Sequence, residues 1–88
     1  PIVLCAIDWI GISNGGYERW RETIAQATGT IPERVAVHCL HQHDAPRCDF
    51  SAEQMLAELG IGGMMFDVIF ARDAMKRTAE GARQALEN

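Results

Sequence analysis

Clustered positive charge is the first thing this sequence lacks. Lys and Arg number 8 against 12 Asp and Glu, for a formal charge of −4, and they nowhere form a run. Binding to nucleic acid through its phosphates needs grouped cations that displace counterions, so no nucleic-acid partner is expected. Long apolar runs are missing too. The longest strongly apolar stretch, Ile2 to Ile7, falls far short of the ~20 residues of a membrane helix, and no transmembrane segment is expected. Cysteine is sparse and has no CxxC spacing. Cys5, Cys39 and Cys48 form an odd set, which cannot pair off internally. Cys5 and Cys39 lie within apolar patterns, where a thiol serves as a small hydrophobe. Internal repeats and low-complexity tracts are absent. No targeting segment is visible. Because the first residue is Pro1 and not Met, the sequence reads as one whose true start has been lost, so that absence excludes nothing.

What is present is the pattern of an α/β protein. Ile2-Val3-Leu4-Cys5-Ala6-Ile7 is apolar at every position rather than at alternate ones, the mark of a strand covered on both faces in a parallel sheet. Asp8 ends it, and Gly11 to Gly16, with three glycines, Ser13 and Asn14, reads as a turn into a helix. From Tyr17 the period turns helical. Tyr17, Trp20, Ile24 and Ala27 share one stripe, with Glu18, Arg19, Arg21, Glu22 and Gln26 facing away. Gly29 and Pro32 stop the helix. A second strand runs from about Arg34 to Leu40 or slightly beyond. Strand, helix and strand in this length make a βαβ unit with parallel strands. After an irregular stretch from Ala45 to Phe50, Ser51-Ala52-Glu53-Gln54 fits a capping box. The short helix it opens reaches Leu59 before Gly60. A last helix is expected from about Met65 to Leu86, its buried stripe being Val68, Ala71, Met75, Ala79, Ala82 and Leu86. Two strands and three helices cannot cover a strand that is apolar on both faces. The 88 residues therefore read as a βαβα fragment of a larger α/β domain, completed by the remainder of the same chain.

The chemistry-bearing segment is His38-Cys39-Leu40-His41-Gln42-His43-Asp44. If the chain stays extended, Val35, Val37, Cys39, His41 and His43 share a face while His38 points away. An H-x-H pair then aims two imidazoles at one metal ion. Imidazole suits zinc, and catalytic zinc sites take three protein ligands and leave one position open. Asp44 or Asp49 would supply an oxygen, or would orient a ring nitrogen from behind. In open α/β sheets ligands bind beyond the carboxyl ends of the strands. Asp8, ending the first strand, meets the histidines at that rim and is a second candidate to orient a ring. His38 reads as a core or edge histidine. Trp9, Trp20, Met64 and Met65 read as packing.

On these residues the chain resembles the amino-terminal domain of the neutral/alkaline (non-lysosomal) ceramidase family. That family has a strand ending in Ile-Asp, a helix, and a strand running into His-Thr-His-Ser-Gly-Pro. The matching segments here are Ile7-Asp8, the helix from Tyr17 to Thr28, and His41-Gln42-His43-Asp44-Ala45-Pro46. The resemblance covers nearly the whole chain in element order. It implies that His41 binds the catalytic zinc and that His43 stands in the active site beside the scissile amide. The implied reaction is zinc-assisted hydrolysis of the N-acyl bond of a ceramide-like lipid or another small amide, in a secreted or periplasmic protein. Gln42, Asp44 and Ala45 depart from the family's threonine, serine and glycine and alter the wall beside the metal. The family's other ligands (a histidine, a glutamate and a tyrosine) and its serine nucleophile have no equivalents in these residues. Two alternatives stand beside this one: a ceramidase-like module that binds without catalysis, and a metal-free binding module whose histidines are incidental.

Overall fold

The computed structural model describes residues 1–87. β1 (Val3–Ile7) and β3 (Val35–Cys39) pair in parallel, with Val3 opposite Val35 and Ile7 opposite Cys39. Helix α1 (Gly15–Thr28) forms the crossover between them. Trp20 and Ile24 on its inner face are fully buried, against Ile7, Val35 and Val37 of the sheet. Gly29, in the left-handed region at φ 72°, ends the helix and donates its N–H to the Ala25 carbonyl. Arg21 does not face away as its place in the helical period suggests. Its guanidinium donates to the carbonyl oxygens of Pro32 (2.7 Å) and Val35 (3.1 Å), clamping the start of β3 onto α1.

Beyond the first ladder lies a second, which the sequence conceals. β2 (Gly11–Ile12) pairs in parallel with β4 (Arg47–Cys48). Both are too short for an alternating pattern, and one contains glycine. Next comes α2 (Phe50–Glu58), opened by Asp49 and not by the expected box at Ser51. The Asp49 carboxylate accepts from the Ala52 N–H (3.0 Å) and from the Asn14 side-chain amide (2.8 Å). Ser51 instead accepts from the Gly15 N–H, joining the starts of the two helices. The last helix, α3 (Val68–Glu87), starts three residues later than its pattern suggests. Asp67 caps it by accepting from the Phe70 N–H at 3.0 Å. Ala71, Met75 and Ala79 are its buried stripe; Leu86 is half exposed and drops out of it. The small residues bring α3 close to α1 rather than onto the strands.

α1 and α3 therefore lie on one side of β1 and β3. On the other side Ile2 is 76% exposed, Leu4 80% and Leu40 61%, flanked by exposed Ala6, Ala36 and His38. Parallel sheets are normally covered on both faces, and covering each large side chain is worth about 1.5–3 kcal/mol. The all-apolar β1 matches this geometry: every second residue serves a face for which no covering layer occurs among the described residues.

Two glycines give a paired test of the packing. A Cβ on Gly16 would stand 2.6 Å from the Cys48 carbonyl oxygen, a backbone atom of β4, whereas one on Gly81 of α3 meets nothing within 4 Å. Gly81→Ala should raise stability by up to about 1 kcal/mol, the helix-propensity difference. Gly16→Ala should lower it by about 1–3 kcal/mol, because β4 must move off α1. Urea midpoints moving in opposite directions are the expected result. A gain at both positions would mean that α1 and β4 are further apart.

Candidate functional site

The two ladders are one bent pair of strands interrupted at the same level. Ile7 lies opposite Cys39 and Gly11 opposite Arg47. Three residues on one limb (8–10) thus face seven on the other (40–46), and the surplus is extruded as a corner carrying His41, Gln42, His43 and Asp44. Strand alternation does not extend through this motif. β3 ends at Cys39, and His41 takes φ 61°, one of two non-glycine residues with positive φ among the described residues.

A left-handed histidine is uncommon and persists where surrounding bonds hold it. Two bonds do so here. The backbone N–H of His41 donates to the Trp9 carbonyl (3.1 Å), and its ring Nδ1 lies 2.9 Å from the Ile10 carbonyl. A carbonyl only accepts, so Nδ1 carries the proton, which in the neutral ring leaves the lone pair on Nε2. The bond expected from Asp8 is thus made by a backbone carbonyl two residues further on. Ile10 is itself tied across the gap, its N–H donating to the Pro46 carbonyl at 2.9 Å. Below it Trp9 is buried, edge-on to Trp20 with ring centroids 5.3 Å apart.

The His43 ring meets that of His41 edge-on, centroids 4.8 Å apart. The structure thus brings the two imidazoles together by folding the corner, not by a shared strand face. His41 also borders a cavity of about 520 Å³, together with Ser13, Arg47, Asp49 and Met65. His43 does not line it. Asp8 and Asp44 are exposed at the same rim. The Asp44 N–H is turned onto the Gln42 side-chain carbonyl, closing the corner on itself. Asp49, a candidate oxygen donor by sequence, spends both carboxylate oxygens on Ala52 and Asn14. His38 lies on the uncovered face, opposite Ala6. Among the described residues no three His, Cys, Asp or Glu side chains gather closely enough to hold a metal ion.

The cysteines stand apart from this corner. Cys5 and Cys39 share the inner face of the sheet two residues out of register. That offset places their Cα atoms about 8 Å apart, too far for a disulfide. Burial raises both thiols above their ordinary pKa. Cys48 is 1% exposed, and burial pushes its thiol up to about 11, partly opposed by the Trp20 indole. The unfolded thiol ionises near pH 9, so the stability that Cys48 contributes is complete below pH 9. It is lost as pH rises from about 9 towards 11. A urea midpoint that falls across that window in the native chain, and falls less in Cys48→Ala, is the expected result. In native protein at pH 7, Cys48 should also be the last thiol to react with iodoacetamide.

No helix among the described residues is long and apolar enough to cross a membrane. Compared with family models, curated proteins and solved structures, the chain gives no match.

Proposed function

We propose that this chain is the amino-terminal, zinc-binding part of an amidohydrolase resembling the neutral ceramidases. In this reading His41 is a zinc ligand through Nε2, and His43 stands beside the scissile N-acyl bond of a lipid or small amide. The observation that carries the reading is the His41–Ile10 hydrogen bond. Histidines that bind metal characteristically donate their other ring nitrogen to a carbonyl or carboxylate, which sets the tautomer and aims the free nitrogen. His41 has that arrangement in a backbone conformation that costs energy, at the carboxyl end of a parallel pair, where α/β ligands bind.

The residues fit zinc as a partial set. One well-oriented imidazole and a second beside it are supplied here, and the remaining ligands come from the rest of a longer chain, which also covers Leu4 and Leu40. If bound there, zinc would supply polarisation of an amide carbonyl and a nucleophile at neutral pH. The role of this segment is then to hold Nε2 of His41 fixed and to offer the His43 ring as a hydrogen-bond donor to charge developing on the amide oxygen.

A second reading, a ceramidase-like module that binds without catalysis, is favoured by one feature. Gln42 and Asp44, which replace family residues, bond to each other and close the corner. Zinc content of the full-length protein, measured alongside hydrolysis of a fluorescent N-acylsphingosine and of shorter N-acyl amides, separates the two. Stoichiometric zinc with turnover supports the amidase. Zinc without turnover on any amide supports the binding module, and protein that neither retains nor binds zinc overturns both.

A further inference from the structure

We propose that the groove between α1 and α3 binds a phosphate monoester attached to an apolar group. The groove encloses about 660 Å³, within the range of small-molecule sites, and it shares no lining residue with the cavity beside His41. Its walls include Ala27, Phe50, Met75 and Ala79; its cations are Arg19 of α1 and Arg72 and Lys76 of α3. The two guanidiniums gather at one aromatic ring. The Arg19 Cζ lies 5.9 Å from the Phe50 centroid and the Arg72 Cζ lies 5.3 Å from it. Attraction to the ring steadies both guanidiniums beside Phe50 before any ligand arrives.

Among the described residues no carboxylate forms an ion pair with them. The ion pairs among the described residues are Arg77 with Asp73, and Arg83 with Glu80 and Glu87. Glu80, the acid that lines the groove, is engaged by Arg83 at 2.6 Å, and that bond holds its carboxyl below the usual range. Three cations without an ion-pair partner among the described residues thus line one groove in a chain of formal charge −4. The charge they present selects the ligand. One guanidinium satisfies a carboxylate, whereas two forks and an ammonium match the charge and the three terminal oxygens of a phosphate monoester. The apolar wall formed by Ala27, Met75 and Ala79 accommodates the group that carries it.

The test is titration of the full chain with 1-naphthyl phosphate, with 1-naphthol and inorganic phosphate as separate arms, followed by calorimetry and amide chemical shifts. The naphthyl phosphate should bind at least tenfold more tightly than either arm, with shifts concentrated on α1 and α3. Arg19→Gln and Arg72→Gln should each weaken it about tenfold or more, and Arg72→Lys should fall between, keeping charge but not the fork. These side chains are exposed, and unchanged circular dichroism confirms that the variants fold. Undiminished binding in the Arg19→Gln/Arg72→Gln double variant, or no binding in the native chain, overturns the site. Naphthol binding equally well overturns its anionic half, and inorganic phosphate binding equally well overturns its apolar half.

Discussion

The His41→Ala variant of the full-length protein should purify with less than a tenth of the native zinc and no measurable amide hydrolysis. On the proposed reading, a catalytic zinc that loses one of three or four protein ligands is poorly held, and the ligand lost would be the one whose ring the Ile10 carbonyl aims. His43→Ala should keep most of its zinc and lose about 10²–10⁴-fold in rate, the usual worth of a positioned acid–base group. Equal metal loss in both variants would show that His43 is also a ligand, which the 4.8 Å separation of the two rings permits. His41→Asn separates metal binding from backbone strain. Asparagine tolerates the left-handed region, so this variant should fold nearly as stably as the native chain while still lacking zinc. Alanine adopts φ 61° at a cost and lacks the ring bond, so His41→Ala should lose about 1–2 kcal/mol as well.

The largest stability effect should come from Trp20→Ala, at about 3–5 kcal/mol. Trp20 is 1% exposed and contacts Trp9 edge-on. Removing it leaves a cavity between α1 and the residues that supply the Trp9 and Ile10 carbonyls to His41. On the proposed reading, zinc affinity should therefore fall together with the urea midpoint. Trp20→Phe should cost much less, since it removes a buried indole N–H that has no oxygen or nitrogen partner and keeps most of the ring. A full loss of stability with zinc affinity unchanged would show that the corner holds its shape without the Trp9–Trp20 contact.

Several features were legible from residue order because they depend on local pattern. The all-apolar Ile2–Ile7 run announces a parallel strand, and β1 does pair in parallel with β3, its one neighbour among the described residues. Trp20 and Ile24 mark the inner face of α1, and Ala71, Met75 and Ala79 that of α3, because helical spacing repeats whatever the neighbours are. The excess of apolar strand surface over covering helices was legible too, and the structure leaves Leu4 and Leu40 in the open.

Features that depend on pairing between distant segments were not legible. β2 and β4 exist only because two short stretches thirty-six positions apart meet, and neither carries a pattern of its own. Arg21 looks like a solvent residue until the Pro32 and Val35 carbonyls come within reach. Asp49 and Ser51 both suit a cap, and contact with Asn14 and Gly15 decides which does the work. The histidine motif divides in the same way. Its composition and its place at a strand end are properties of the sequence. The surplus of chain between the two ladders, the left-handed turn at His41 and the carbonyl that sets its tautomer are tertiary. Hydrogen bonds between segments remote in sequence are satisfied only once both limbs lie side by side.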